Sequence, residues 1–296
     1  MGKHLKRVIG MLFSVLIVLI AGSAWGTEYN TGGIVLKVDP AHKSMVVSCR
    51  DIPGFMDAMA MPINVRDMKV LDNLRPGAMV DFTLVVNKED SYAENVTLKG
   101  YDSAEREPAK ARRLQTFEEL LASKDAPKML VAGNSVPSFT LIDQKDRSVS
   151  LSQFAGKVVA LNFIYTRCAL PDYCYRMSNH FGNLQKRFRS RMGKDLILLT
   201  VTFDPVHDRP DTLAQYATTW KADPENWRFL TGSPPDVEHV CDLFGVSFFP
   251  EEGLLVHSLH TAVIDRKGKL VSNLEGNEFT AQQLGDLVES VLDSGQ

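Results

Sequence analysis

VVALNFIYTRCALPDYCYRMSNHF, residues 158–181, decides the fold of the second half of this chain. Residues 158–165 read as one apolar run, the pattern of a central strand covered on both faces. The run passes straight into a loop bearing Cys168 and Cys174, and Cys174 falls near the start of the next helix. A thiol at a helix N-terminus feels the positive end of the dipole, which favours thiolate. Thiolate is both a nucleophile and a soft-metal ligand. Two thiolates with an imidazole suit Cu(I), and Cu(II) with a further ligand, far better than they suit Mg or Ca. Redox dithiols usually carry a two-residue spacer, whereas the five residues here make a wider loop able to wrap a metal. A structural disulfide in an exported loop is the alternative.

Outward from this stretch the pattern alternates. LILLTVTF (196–203) is a second apolar run, with helical segments expected around 175–191, 211–221 and 236–244. HTAVID (260–265), the turn Arg266-Lys267-Gly268 and KLVSNL read as a hairpin, and residues 280–293 as a closing helix. Strands alternating with helices, then a hairpin and a last helix, predict an α/β thioredoxin-like sandwich over residues 129–296. Cys241 lies on the apolar stripe of its helix and reads as a small core residue.

Residues 29–101 are predicted all-β. Five short runs rich in Val, Ile and Thr, separated by turn residues such as Arg75-Pro76-Gly77, fit a small OB-like barrel. Within it, CRDIPGFMDAMAMP (49–62) places Met59 and Met61 on one strand face by period two. Thioether sulfur is a soft ligand, and methionine also fills cores, so spacing alone leaves both readings open. Residues 102–128 are charged and Ala-rich, with Leu114, Phe117, Leu120 and Leu121 on one helical face, predicting a partly helical linker.

The N-terminus has a basic start (Lys3, Lys6, Arg7), an apolar run from Val8 to Ala21, and small residues Gly22, Ser23 and Ala24. These are the proportions of a secretory signal over residues 1–26, with an uncleaved membrane anchor as the alternative. Either puts the body of the protein outside the cytoplasm, in the periplasm or an equivalent space, and the membrane is a partner only if the segment stays. Four cysteines in 296 residues are too few for a disulfide scaffold. The net charge of −3 becomes −6 once three N-terminal cations are removed, which gives no reason to expect nucleic acid.

The stretch FIYTRC…C, the later TVTFDPVHDRPDTLAQYA and VHSLHTAVIDRKGKL together resemble the SCO/SenC family of thioredoxin-like copper proteins, which help assemble the copper centre of respiratory oxidases. The resemblance spans about residues 131–293. It implies copper held by Cys168, Cys174 and His257, the last from a His-Ser, apolar strand, Asp pattern that falls on His257, Ser258 and Asp265. Asp204 matches an acidic position close to the site. His260 is the competitor for the histidine role, while His180 and His207 have no motif support. The family's commonest form has three residues between the cysteines and a proline after each; here there are five, with Ala169 and Tyr175 in the proline positions. Residues 31–100 are similar to small periplasmic copper-efflux chaperone barrels with a Met-x-Met pair. That likeness matches Met59 and Met61 and puts Cys49 where those proteins have a liganding histidine, with Phe55 or Met56 where they have a tryptophan. A buried, inert Cys49 is the alternative.

The leading expectation is a non-enzymatic copper metallochaperone, delivering copper to an oxidase subunit or another copper protein, or buffering it. The second is a thiol–disulfide oxidoreductase using Cys168 and Cys174, for which His257 would be dispensable. A thiol peroxidase, suggested only by Thr166 two residues before Cys168, ranks last.

Overall fold

A computed structural model describes residues 26–88, 90–100 and 129–294. The expected signal segment and linker helix therefore lie outside the described residues.

The first half is a closed barrel of β1 (Thr27–Asp39), β2 (Ser44–Cys49), β3 (Met59–Val65), β4 (Met79–Val86) and β5 (Ser91–Leu98), in the order β1-β2-β3-β5-β4. Alternation along the strands sends Met45, Val47, Ile63, Val65, Val80, Phe82 and Leu84 into the interior. The register pairs Met45 with Ile63, Val47 with Met61 and Cys49 with Met59. β3 runs parallel to β5, and the other pairings are antiparallel.

The second half is built on a seven-stranded sheet. β6 (Thr140–Asp143) and β7 (Ser148–Ser150) form one edge, and β8 (Val158–Ile164), β9 (Leu196–Thr202) and β10 (Trp227–Thr231) run parallel through the centre. The antiparallel β13 (His260–Ile264) and β14 (Leu270–Glu275) complete it. β11 (Phe248–Glu251) and β12 (Leu254–His257) are a separate hairpin. Every residue of β8 is buried, as its apolar run predicts, with Asn162 the one polar residue among them: Val158 and Ala160 face one core, Val159, Leu161 and Phe163 the other. Helices α1 (Arg176–Arg187), α2 (Pro210–Thr219) and α4 (Ala281–Asp293) cover the first face, and α3 (Pro234–Phe244) the second. Cys241 is fully buried on α3. Within the described residues the expected strands and helices are present; β6, β7, β10 and the β11–β12 hairpin are additions. Among the described residues no helix is long and apolar enough to cross a membrane.

The barrel packs directly on the second half. Ile34 and Leu36 of β1 share a core with Leu284, Leu287 and Val288 of α4. At the same seam Ser48 Oγ donates to Asp286 at 2.6 Å, and Asp286 also accepts from Arg187 at 2.7 Å. Lys99 pairs with Glu278 at 2.9 Å, and Ser272 Oγ donates to the Gly77 carbonyl at 3.1 Å. Gly77 turns at φ +83°, and a Cβ there would run into the Ser272 side chain. Gly77→Ala thus combines left-handed strain with a clash at the seam. It is expected to lower stability by about 1–3 kcal/mol in denaturant unfolding.

Candidate metal centre

The site forms where β8 ends. Asp208, buried with 0% exposure, accepts from the Thr166 backbone N–H at 2.9 Å, the Thr166 hydroxyl at 2.5 Å and the Thr202 hydroxyl at 2.5 Å. It thereby ties the exit of β8 to the end of β9 two residues before Cys168. Burial raises its carboxyl pKa, and the three donated bonds oppose the rise. Arg167, next along, reaches Asp204 at 2.8 Å, His207 Nδ1 at 3.1 Å and the Gly253 carbonyl at 3.2 Å. One guanidinium thus joins three loops around the cysteines.

Pro171–Tyr175 forms a wide turn, with Tyr173 out of helical conformation at φ −108° and ψ −115°, before the chain enters α1. Proline suits the first position of such a turn, where no N–H is needed. The turn buries Cys174 (1% exposed) and leaves Cys168 half-buried.

His257 arrives from the other side at the end of β12. Ser258 exchanges backbone and side-chain bonds with Ser247, fixing the bend that follows. His257 Nδ1 lies 2.8 Å from the Ser258 carbonyl. A carbonyl only accepts, so Nδ1 carries the proton and the Nε2 lone pair faces the cysteines. Nε2 is 3.7 Å from Cys174 Sγ and 3.9 Å from Cys168 Sγ, and the three donor atoms lie within 4.8 Å of one another. Bonds of about 2.0–2.3 Å to a shared ion separate trigonal or tetrahedral donors by about 3.5–3.9 Å, so the spacing fits a metal. Phe203 (4.7 Å), Tyr165 (5.5 Å) and Tyr173 (5.7 Å) surround the imidazole ring.

The two thiols differ. A hydrogen bond from Cys174 takes the Cys168 pKa down to about 4, against opposing burial. Burial, reinforced by the neighbouring Cys168, pushes Cys174 well up. The pair therefore holds a thiolate at Cys168 and a proton at Cys174, an arrangement fit for a soft cation or for nucleophilic attack.

The SCO1/SenC family profile matches residues 128–293, more than half of the chain. The protein belongs to the SCO1/SenC family. This SCO1/SenC protein is 29% identical over 149 residues to the SCO1 protein homolog of Bacillus subtilis, covering 49% of this chain and 76% of that one. It shares 27% identity over 187 residues with the mitochondrial protein SCO1 of Saccharomyces cerevisiae, 61% of this chain and 60% of the yeast protein. The copper-bound crystal structure of yeast Sco1 aligns at 25% identity and a TM-score of 0.46, over 57% of this chain and 90% of that one.

The remaining predicted residues of the SCO1/SenC protein fall elsewhere. His260 begins β13, buried, with its pKa taken down to about 4 by burial. His180 sits 5.3 Å from Phe279 on α1 and is likewise lowered to about 4 by burial. Neither joins the three-donor cluster. Asp204 and His207 stand at its rim, bonded to each other at 2.8 Å. In the barrel, Cys49 is buried with its Sγ 3.7 Å from the Val47 carbonyl, and burial pushes its thiol up to about 12. Met59 is 48% exposed, Met61 half-buried, and Phe55 stacks on Tyr29 at 4.3 Å. Asp208, Arg167 and the aromatic ring cluster were not singled out as functional residues from sequence; TVTFDPVHD carries Phe203, Asp204 and Asp208, but only contacts across the fold reveal what they hold.

Because Cys168 is lowered and Cys174 raised, iodoacetamide should modify Cys168 at a rate nearly constant from pH 8 to pH 5. An ordinary thiol slows about tenfold per unit over that range. Cys174 should stay unmodified in the folded protein, as peptide mapping would show.

Proposed function

We propose that this chain is a copper metallochaperone working outside the cytoplasm, binding copper through Cys168, Cys174 and His257 and delivering or buffering it for a respiratory oxidase copper centre. The observation that carries the reading is the convergence of two sulfurs and the Nε2 lone pair of a tautomer-locked imidazole. That donor set is soft enough for Cu(I), and with a fourth ligand it serves Cu(II). Family membership supports the assignment, as does the copper-bound yeast relative. A member described as belonging to a family of cytochrome c oxidase assembly proteins supports the oxidase as destination. The acceptor is an oxidase subunit or another copper protein.

In this reading Cys168 supplies the thiolate that captures incoming copper, and Cys174 releases its proton as it binds. His257 needs no deprotonation, because its Nδ1 proton already points away. Release follows by exchange of these ligands for those of the acceptor. Residues 129–296 act as the thioredoxin-like unit and residues 29–101 as a second copper-binding unit, with Cys49, Met59 and Met61 as its donors. The cross-strand pairing of Cys49 with Met59, and of Val47 with Met61, supports that set by putting all three residues on one face of the β2–β3 ladder. Residues 102–128 link the units, and residues 1–26 direct export.

A thiol–disulfide oxidoreductase is the second reading, favoured by the division into one lowered and one raised thiol. It needs the dithiol and can do without His257.

Anaerobic Cu(I) titration of the reduced protein against a competing chelator separates the two. The metallochaperone reading expects tight binding, weakened by roughly a hundredfold in both Cys168→Ala and His257→Ala. Weak binding, or indifference to the His257 change, would overturn the metallochaperone reading and leave the oxidoreductase as the better one.

A further inference from the structure

One short segment, residues 276–283, hydrogen-bonds to the backbone beside both candidate donor sets. The Gly276 backbone N–H donates to the Leu259 carbonyl at 2.9 Å, two residues beyond His257. Asn277 Nδ2 donates to the Asp172 carbonyl at 2.8 Å, inside the loop between Cys168 and Cys174. Gln282 Nε2 donates to the Ala58 carbonyl at 2.9 Å, immediately before Met59. Gln283 Nε2 donates to the Ser48 carbonyl at 3.0 Å, immediately before Cys49. Gln283 meanwhile closes the capping box of α4, its Oε1 accepting from Thr280 N at 3.1 Å while its own N–H donates to Thr280 Oγ1 at 3.1 Å. The same side chain that starts the helix thus grips the barrel.

On the barrel side these bonds go to backbone carbonyls, so they fix where the donor-bearing strands lie without fixing the donor side chains. The seam beneath, from Ile34 and Leu36 to Ser48 and Asp286, keeps the barrel from swinging away.

We propose that copper bound by the barrel passes to Cys168, Cys174 and His257 of the same chain, with residues 276–283 as the bracket that keeps the two donor sets together. The inference rests on the barrel reading given above. The transfer is ligand exchange, with copper remaining Cu(I) throughout. Bonds to Met59 Sδ, Met61 Sδ and Cys49 Sγ break, and bonds to Cys168 Sγ, Cys174 Sγ and His257 Nε2 form. Cys49 takes up one proton and Cys174 gives one up, so charge and protons balance. The direction follows from the donors: the barrel set has one thiolate and two neutral thioethers, the receiving set two thiolates and an imidazole, which hold Cu(I) more strongly. One covalent chain makes the exchange intramolecular, so its rate does not depend on encounter between molecules, and docking raises the effective concentration of one donor set at the other.

The test uses the full chain with Cys168 and Cys174 oxidised to a disulfide, leaving the barrel donors to bind one equivalent of Cu(I). Saturating phosphine reductant then opens the disulfide, whose opening is timed separately on metal-free protein. Movement of copper is followed by thiolate-to-copper absorption. The expected result is a first-order transfer unchanged over a tenfold range of protein concentration. In the double variant Asn277→Ala, Gln282→Ala it should be at least about tenfold slower, with copper capacity and melting temperature retained. A rate proportional to protein concentration, or a double variant as fast as the parent, overturns the bracket while leaving the barrel site standing. Absence of Cu(I) binding by the oxidised chain overturns the barrel reading itself, and the relay with it.

Discussion

A carboxylate without any solvent exposure holds the site together. Asp208 is tolerable in the interior only because Thr166 and Thr202 between them give it three hydrogen bonds. Those bonds come from the last turn of two parallel central strands, so the electrostatic requirement of one buried charge becomes a geometric constraint on both. The strand ends cannot splay without stranding the carboxylate, and the loop that begins at Arg167 therefore starts from a fixed point. Arg167 extends the constraint outward by joining Asp204, His207 and the Gly253 carbonyl, which carries the β11–β12 hairpin and thus His257.

The consequence is a donor set assembled before any ligand arrives. His257 has its tautomer chosen by a backbone carbonyl and its ring plane restricted by three aromatic neighbours. Cys174 is immobilised by burial, and Cys168 alone keeps partial access to solvent. With two donors buried and one partly accessible, Cys168 is the ligand that an incoming soft cation would reach first.

Much of this was legible in the sequence. The apolar runs at 158–165 and 196–203, the helix periodicity around Val237–Phe244 and the short Val-, Ile- and Thr-rich runs between turn residues in 29–101 identify both halves, because strand and helix burial leave a local signature. Cys168 and Cys174 announce themselves by chemistry and spacing. His257 lies 83 positions beyond Cys174 and came only from a family resemblance, since no local pattern separates it from His260. β10 and the hairpin around Pro250 escaped notice because they are short and mixed in composition. The docking of the barrel was equally hidden: Gln282 and Gln283 look like any polar residues at a helix start, and their partners lie more than two hundred residues earlier.

That separation along the chain also sets an order of events in biogenesis. The barrel strands are complete by Leu98, whereas α4, which covers Ile34 and Leu36 and meets Ser48, emerges after every other described element. Through the synthesis of nearly the whole second half, the barrel must therefore exist with its docking face open to water. That face is apolar at Ile34 and Leu36, and only its flanking residues Ser48 and Lys99 are polar, so it is adhesive while it waits. Closing the molecule is then a late step, and a chain stopped short of α4 would lose both the main cover of the seam and the apolar residues Leu284, Leu287 and Val288 that pack one face of the central sheet.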